Sequence, residues 1–585
     1  MFYLFYFNKK MLMFLLIFLL SSNALTVRRD KSILFCRIAI KSLILTSILS
    51  YSNLYLRPLE KGIGIYGGLF NVTAYTQSFN IFILLLSAVI LTLTAFFPRK
   101  IYVKQYSSIY GLLFSKLTYN KKLISNITGE QFRIIEYGMI ITFILCGAVF
   151  LISTADIISV FLAIELQSYG LYILSTLYRD SESATASGLI YFLLGGLSSC
   201  FILLGSALLY VNSGTTNLDN IYVITSISEI KGLSSLMYLY QPYYFHLSLI
   251  IMSVGFLFKV SAAPFHFWSP DVYDGIPTVV TTYIAIVPKI SIFAFFLELV
   301  YYTESNFFNF SWKNIFLISS LLSLIIGSIL GITQFRIKRL FAYSTISHVG
   351  FILLALSINN TESIQSYIFY ILQYSLSNLN TFIILVSIGF SLYLHVYKEK
   401  LYIENLSALR DINNSPIQLI NQLKGYFYIN PFIAISLAIT LFSFVGIPPI
   451  IGFFAKQMIL SAALDSGYVF MALFAILTSV VAAAYYLNLI KNIFFFKDNY
   501  KKNPAINNLN LVAYITPYNN NEIESLRNKA FIRQKWVLFK TENIIISSSF
   551  STTISIITLL LILFIYVPME WFNTVTVLTL ILFRA

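Results

Sequence analysis

The chain has 585 residues, of which 58% are hydrophobic and only 11% are charged. Soluble domains carry about a quarter charged residues, so this composition excludes an ordinary soluble globular protein. A net charge of +15 would suggest nucleic-acid binding in a soluble protein. In a membrane protein it is instead typical of Lys and Arg retained in the loops of one membrane face, so we predict no nucleic-acid partner.

Apolar runs of about 20 residues, each long enough to cross a bilayer core, recur along almost the whole chain. They predict an all-α polytopic membrane protein with about fourteen transmembrane helices. The first run follows Lys9 and Lys10 and also fits a secretory signal peptide, but the further spans that follow at once favour a retained helix. The predicted spans are 11–26, 33–52, 78–97, 134–152, 156–178, 186–212, 246–263, 277–301, 314–333, 338–357, 367–394, 430–463, 468–496 and 546–567.

Basic residues are concentrated in alternate loops between these predicted spans. The segments 98–133 and 497–545 hold many of them, and 336–339 and 398–424 hold others. The intervening loops, including the one that contains Asn220, carry few charges. The positive-inside rule therefore predicts that the basic loops share the inner face, opposite Asn220, and that both termini lie on the outer face.

Two predicted spans, the seventh and the twelfth, are interrupted by proline. One interruption contains Pro264, shortly after Lys259, and the other contains Pro448, shortly before Lys456. Proline removes a backbone donor and clashes with the preceding turn, so both spans are predicted to be broken helices. Paired broken helices in two halves of a chain mark the ion sites of transporters. The spacing predicts two inverted five-helix repeats, formed by spans four to eight and spans nine to thirteen.

These elements divide the chain into five predicted parts. They are an N-terminal three-helix segment with a basic loop (1–133), the first five-helix repeat (134–301), the second repeat (302–497), a polar loop (498–545) and a C-terminal span (546–585).

No motif of soluble catalysis appears in any of these parts. There is no GxGxxG after a strand, no P-loop, no His/Cys metal cluster and no nucleophile triad pattern. Cys36, Cys146 and Cys200 lie far apart in apolar segments and have no cluster-binding spacing. We therefore predict that this chain holds no redox centre, nucleotide site, cofactor or metal.

Four ionisable residues stand inside predicted spans: Glu165, Lys259, Lys289 and Lys456. A charge at the bilayer centre costs about 2.5–3.5 kcal/mol on insertion scales, so such residues usually carry a function such as ion relay. One acid and three lysines on separate spans predict a proton path. His348 falls mid-span and can relay a proton through either ring nitrogen.

Structural roles compete with this interpretation. A lone Glu165 can hydrogen-bond a neighbouring helix, although a carboxylate is a costlier packing device than Ser or Gln. For His348, a structural role as a packed, hydrogen-bonded imidazole and a role as a proton relay are equally supported by the sequence. Ionisable groups near predicted span ends or breaks are discounted as snorkelling or structural residues. These are Arg37, Lys41, Glu136, His266, Glu298 and Lys491.

Four stretches, taken together, resemble the antiporter-like subunits of respiratory complex I. They are Phe256–Gly275 (FLFKVSAAPFHFWSPDVYDG), Pro288–Phe293 (PKISIF), Arg339–Phe351 (RLFAYSTISHVGF) and Gly446–Lys456 (GIPPIIGFFAK). The resemblance covers roughly residues 75–500 and implies a proton-pumping module driven by quinone reduction elsewhere in the complex. NADH, FMN, iron-sulfur clusters and ubiquinone would then bind to other subunits.

The resemblance also implies roles for the residues within the spans. Glu165 resembles the acid of the fifth span and Lys259 its partner in the broken seventh span, while Lys289 resembles the central relay and Lys456 the lysine of the broken twelfth span. The implied partners are other membrane-arm subunits, including neighbouring antiporter-like subunits, and membrane phospholipids such as cardiolipin. The fourteen spans and the residue usage of an AT-rich gene resemble the fungal mitochondrial form. That form implies the mitochondrial inner membrane, with both termini on the intermembrane-space side.

One leading function and two alternatives follow. The leading function is that of a proton-translocating subunit of complex I. The first alternative is a subunit of a multisubunit cation/proton antiporter, which shares the fold and would differ in its ion and its partners. The second is a scaffold of the membrane arm that conducts nothing, which is disfavoured because a scaffold does not need three mid-membrane lysines.

Overall fold

The computed structural model describes residues 2–25, 32–54, 59, 62–95, 99–101, 116–118, 136–178, 181–228, 242–303, 312–392, 395–397, 415, 417–496, 500–502, 511–516, 537–539, 544–546 and 548–584. Most of the predicted basic segment 98–133 and of the polar loop 498–545 lies outside these residues. Within the described ranges the chain forms eighteen α-helices. They are α1 (Phe2–Leu25), α2 (Ser32–Asn53), α3 (Ala74–Ala95), α4 (Glu136–Ile152), α5 (Ile157–Thr176), α6 (Glu182–Ser213), α7 (Leu218–Ser228), α8 (Pro242–Val260), α9 (Trp268–Gly275), α10 (Thr278–Tyr302), α11 (Asn314–Ile332), α12 (Ile337–Ile358), α13 (Thr361–Leu392), α14 (Pro431–Val445), α15 (Ile451–Asp465), α16 (Val469–Phe494), α17 (Ser548–Leu563) and α18 (Pro568–Arg584).

Short strands occupy connections between the helices, which an all-α prediction did not include. They are β1 (Ile63–Ile65), β2 (Phe70–Val72), β3 (Arg99–Ile101), β4 (Lys116–Thr118), β5 (His395–Tyr397), β6 (Tyr500–Lys502), β7 (Leu511–Thr516), β8 (Val537–Phe539) and β9 (Ile544–Ile546). All pairings are antiparallel: β1 with β2, β3 with β9, β5 with β6, and β7 with both β4 and β8. The described parts of the segments 98–133 and 497–545 therefore pair with each other, so these two basic segments meet.

Helix α10 lies at the centre of the described helices. Its sequence is apolar almost all round, and every residue from Thr278 to Val300 is buried. A helix that is hydrophobic on all sides belongs in the interior, where other helices cover it. It packs against α3, α4 and α13. Lys289, in its middle, therefore faces protein and not lipid.

Ten of the described helices are long and apolar enough to cross a membrane. They match ten of the predicted spans. Helices are also present at the other four predicted positions, 11–26, 134–152, 246–263 and 430–463, but they lie outside that group, so fourteen crossings remain a prediction. Helix α18, which follows the predicted C-terminal span 546–567, and the short α7 were not predicted.

Both helix breaks are present. The first separates α8 from α9, and the second separates α14 from α15. Each begins with a residue in the left-handed region, Ser261 at φ 64° and Gly446 at φ 83°. A left-handed residue redirects the chain at a helix end and stops the helical hydrogen-bond pattern. The 263–264 and 448–449 peptide bonds, both to proline, are cis.

Candidate functional site

Glu165 and Lys259 form a buried ion pair beside the first break. Lys259 Nζ lies 3.3 Å from Glu165 Oε1, and the two side chains are 9% and 13% exposed. Lys259 stands in the last turn of α8, where the partial negative charge of the helix end also favours a cation. Each charge is therefore compensated away from water, as a buried pair requires.

A cavity of about 20 Å³ adjoins this pair. Its lining is mainly apolar and includes the polar residues Lys259, Gln167 and Ser168. A polar cavity of about 10–15 Å³ or more holds one water molecule. The volume is enough for one water molecule, and Lys259 belongs to the lining.

Lys289 joins the first break to a helix of the predicted second repeat. Its Nζ donates hydrogen bonds to Ser261 Oγ at 3.2 Å and to Thr345 Oγ1 at 3.1 Å. Ser261 belongs to the break, two residues after Lys259, and Thr345 belongs to α12. Lys289 Nζ also lies 5.9 Å from the centre of the Tyr273 ring. Both hydrogen-bond partners are neutral hydroxyls, which leaves the charge of this lysine less compensated than that of Lys259.

One face of α12 leads from Lys289 toward Lys456. Thr345, His348 and Phe351 recur at every third position, a spacing that places side chains on one helix face. Thr345 contacts Lys289, and Lys456 Nζ lies 5.4 Å from the centre of the Phe351 ring. His348, 3% exposed, stands between these two contacts. The histidine is thus placed between the two lysines in space as well as in sequence.

Both ring nitrogens of His348 contact tyrosine hydroxyls. Nδ1 lies 2.7 Å from the Tyr370 hydroxyl, and Nε2 lies 3.3 Å from the Tyr486 hydroxyl. Tyr486 is in turn hydrogen-bonded to the Ser344 hydroxyl. A hydroxyl can donate or accept, so either tautomer of the imidazole is satisfied here. A proton added at one nitrogen can therefore be matched by the release of a proton from the other.

Lys456 binds the end of a helix. Its Nζ donates to the carbonyl oxygen of Val445 at 2.9 Å, and Val445 is the last residue of α14. The last carbonyls of a helix lack helical partners and carry partial negative charge, which favours a cation. The lysine crosses close to Gly446, where a Cβ atom would lie 3.0 Å from Lys456 Cδ.

Three basic residues that were predicted to lie in an inner-face loop hold α9 in place. Arg336 Nη1 contacts Asp274 Oδ2 at 2.6 Å, and Arg339 forms an ion pair with Asp271. Lys338, 1% exposed, donates to the carbonyl oxygen of residue 276 at 2.6 Å. These contacts connect the start of α12 to the short helix that follows the first break. These basic residues therefore stabilise the position of α9, in addition to their use in predicting the membrane topology.

The discounted residues divide into two groups. Arg37, Lys41, Glu136 and Lys491 are exposed. Glu298 lies near the end of α10 as predicted, yet it is buried because α10 is covered by other helices along its length.

Two further polar side chains, those of His266 and Lys9, also lie in the interior. His266, 6% exposed, places Nδ1 3.3 Å from the carbonyl oxygen of Pro264. Lys9, 5% exposed, donates to Ser153 Oγ at 2.6 Å and lies 4.5 Å from the centre of the Phe70 ring. Lys9 was not predicted as buried, because hydropathy counts it as a charge before the first span. Among the residues that the structure describes, no group of three or more His, Cys, Asp or Glu could hold a metal ion.

Comparisons with known proteins bear on the region that holds all five predicted site residues. A family model described as NADH:quinone oxidoreductase/Mrp antiporter, transmembrane, matches residues 154–482. NADH-ubiquinone oxidoreductase chain 2 of Rhizopus oryzae is 46% identical over 98% of this chain and 100% of its own length.

Solved structures of other membrane complexes have the same fold. A chain of respiratory complex I from Thermus thermophilus matches with a TM-score of 0.63 and 21% identity, over 95% of this chain and 97% of that chain. A chain of the Mrp complex from Dietzia sp. DQ12-45-1b matches with a TM-score of 0.69 and 16% identity, over 98% and 97%. At such low identities these two likenesses show a shared fold alone.

Proposed function

This chain belongs to the NADH:quinone oxidoreductase/Mrp antiporter family, and from that premise we propose that it is a proton-translocating membrane-arm subunit of respiratory complex I. Full-length similarity to a chain 2 of NADH-ubiquinone oxidoreductase supports membership of that complex. Proton movement is supported by the buried line of ionisable and hydroxyl groups that runs from Glu165 to Lys456.

The proposed relay begins at the ion pair. While Glu165 is negative, it holds the proton on Lys259 Nζ by charge attraction. When Glu165 takes up a proton, Lys259 loses its counter-charge in a buried site and releases a proton. Ser261, two residues after Lys259 in the break, then carries the proton toward Lys289, whose Nζ contacts the Ser261 hydroxyl.

The second half of the relay runs along α12. Lys289 passes a proton by way of the Thr345 hydroxyl toward His348, whose two nitrogens contact hydroxyls on different sides. Lys456 receives the proton at Nζ, where the carbonyl of Val445 favours the charged form. Each group in this series holds a proton for part of the cycle.

The chemistry that drives the relay is proposed to take place on other subunits. NADH, FMN, iron-sulfur clusters and ubiquinone would bind there, and this chain would hold no cofactor. Its partners would be neighbouring membrane-arm subunits, including other antiporter-like subunits, and phospholipids such as cardiolipin. The proposed location is the mitochondrial inner membrane, with both termini on the intermembrane-space side.

Lys289→Met tests the proposal, because methionine keeps most of the side-chain length and removes the charge. In the complex reconstituted in liposomes, we expect the rate of proton uptake to fall about tenfold, equivalent to about 1.4 kcal/mol on the barrier. Lys491→Met is the matched control, since Lys491 is an exposed lysine on α16. Native gels check assembly. Normal pumping by an assembled Lys289→Met complex would leave the scaffold function in place.

A cation/proton antiporter subunit is the second candidate, because the family model that matches residues 154–482 also covers Mrp antiporters. The same liposomes distinguish the two functions when sodium is replaced by choline inside and outside. A proton pump keeps its proton uptake under this replacement. Loss of uptake without sodium would assign the chain to cation/proton exchange.

A further inference from the structure

Lys338, in the first turn of α12, is a buried lysine outside the proposed relay. The residue is 1% exposed. Its Nζ donates to the carbonyl oxygen of Asp274 at 3.3 Å, to that of Ile276 at 2.6 Å and to Ser415 Oγ at 2.6 Å. An ammonium group has three donors, so these oxygens can take all of them. Burying a charge is costly unless it is hydrogen-bonded, so the lysine and the three oxygens hold one another in position.

Two of the three oxygens lie at the carboxyl end of α9. Asp274 and Ile276 flank Gly275, the last residue of that helix. Carbonyl groups at a helix end lack helical partners and carry partial negative charge, which favours a cation. The same end is closely fitted on its other side, because a Cβ atom on Gly275 would lie 2.7 Å from the carbonyl oxygen of Ser183 on α6. The end of α9 is therefore held between α6 and the start of α12.

Helix α9 reaches the surroundings of two relay lysines. At its start, Trp268 Nε1 donates to the carbonyl oxygen of Phe258 at 2.8 Å, and Trp268 and Lys259 line the same cavity. Near its end, the centre of the Tyr273 ring lies 5.9 Å from Lys289 Nζ. Tyr273 directly precedes one of the residues that Lys338 binds. A shift of the carboxyl end of α9 would therefore move the Tyr273 ring relative to Lys289.

The third oxygen, Ser415 Oγ, belongs to the segment that leads into α14. Backbone contacts join this segment to the start of α12. The amide of Ile337 donates to the carbonyl oxygen of Gln418 at 2.9 Å, and the amide of Ile420 donates to that of Phe335 at 3.1 Å. The ammonium group of Lys338 thus joins three parts of the chain: the start of α12, the end of α9 and the segment before α14.

We propose that Lys338 is a positioning residue for the relay. By holding the carboxyl end of α9 against α12 and Ser415, it keeps Tyr273 beside Lys289. Lys338 itself carries no proton in this role, and its effect on Lys289 passes through Tyr273. The inference rests on the proposed function, because Lys289 is the relay residue whose surroundings Lys338 sets.

Lys338→Met, Tyr273→Leu and the double variant test this role in the complex reconstituted in liposomes. We expect each single variant to lower the rate of proton uptake about fivefold, the effect of about one lost hydrogen bond. The double variant should also lose about fivefold and not about twenty-five-fold, because the two residues act as one unit. Lys491→Met, a change at an exposed lysine, is the matched control and should keep the normal rate. Native gels check assembly, and the melting temperature of each complex is measured.

A merely structural role would lower the melting temperature of the Lys338→Met complex and multiply the two losses in the double variant. Multiplied losses would therefore overturn the positioning role, and so would a normal rate in Lys338→Met. If Lys338→Met fails to assemble, Ser415→Ala takes its place, because it removes one of the three acceptors. A reduced rate that Tyr273→Leu does not lower further supports the role, whereas a normal rate or multiplied losses overturn it.

Lys289→Met separates this result from the larger proposal. A normal rate in Lys289→Met would remove the relay itself. A reduced rate in Lys289→Met together with a normal rate in Lys338→Met would remove only the positioning role.

Discussion

The two helix breaks each place a lysine inside the protein, but they compensate its charge by different means. At the first break, Lys259 faces the carboxylate of Glu165 on another helix. At the second, Lys456 faces the carbonyl of Val445 at the end of a helix. A carboxylate can take up a proton and lose its charge, whereas a helix end keeps its partial charge at every step. In the proposed relay, the first break would therefore switch its counter-charge, and the second would keep it constant.

Lys289 has the least counter-charge of the three lysines. Its partners, Ser261 and Thr345, are hydroxyls that bring no net charge. Such a lysine has less opposite charge beside it than one that faces a carboxylate. Each of the three lysines thus has a different kind of partner. Lys259 faces a carboxylate, Lys289 faces two hydroxyls, and Lys456 faces the dipole of a helix end.

The largest effect is expected from the ion pair at the first break. Glu165→Gln and Lys259→Met should each reduce the rate of proton uptake about tenfold, or about 1.4 kcal/mol on the barrier. The double variant should lose less than the sum of the two in free energy, because both residues act in one step. Proton uptake in liposomes and native gels provide the measurements. Additive losses would show that the two residues work separately.

Removal of one hydroxyl from Lys289 should have a smaller effect. Thr345→Val keeps the shape of the side chain and deletes the Oγ1 atom that Lys289 contacts. A hydrogen bond contributes about 0.5–1.5 kcal/mol, so pumping should fall by roughly two- to tenfold. Thr281→Val is the matched control, because the Thr281 hydroxyl is buried and donates to the carbonyl of Thr278 within α10. Equal pumping by the two valine variants would argue against the Thr345 contact.

The sequence predicted the two breaks and their lysines because proline and charge stand out in apolar segments. The pairing of Glu165 with Lys259 could be expected from the family resemblance and is present in the structure. By contrast, the row formed by Thr345, His348 and Phe351 depends on which face of α12 turns inward. That face is set by packing against α13 and α15 and by the hydrogen bond from Lys289 of α10, and hydropathy does not show either.

The buried positions of Glu298 and Lys9 were also beyond sequence reasoning. Distance from a span end estimates depth in a membrane, but it does not show how many helices cover that end. Glu298 is buried because α10 is central, and Lys9 is buried because Phe70 and Ser153 pack against α1. The ion pairs of Arg336 and Arg339 were missed for a similar reason, since loop charges were counted for topology without their partners.

A substitution at Gly446 tests the Lys456 site at the second break. Gly446→Ala should destabilise the complex by about 1–2 kcal/mol, the cost of a left-handed conformation for a residue with a Cβ atom. Gly214→Ala is the matched control, because Gly214 ends α6 at φ 69° and has no atom within 4 Å of the added Cβ. At Gly446 the added Cβ also meets Lys456 Cδ. The Gly446→Ala complex should therefore melt at a lower temperature than the Gly214→Ala complex, and its pumping should be reduced. Equal melting temperatures and normal pumping in both variants would show that Lys456 adapts freely.

The smallest effect is expected at the outermost contact of the first break. Arg339 and Asp271 have side chains 37% and 54% exposed, so their coupling should be about 1 kcal/mol or less. A double-mutant cycle with Arg339→Gln and Asp271→Asn, read from the melting temperature of the complex, should show a coupling that disappears in high salt. Arg336 and Asp274 are the comparison pair. Because the Asp274 side chain is only 6% exposed, their coupling should be larger and should persist in salt, since less water reaches it. Equal salt sensitivity of the two pairs would mean that α9 opens to solvent. The first break would then be as accessible to water as a surface loop.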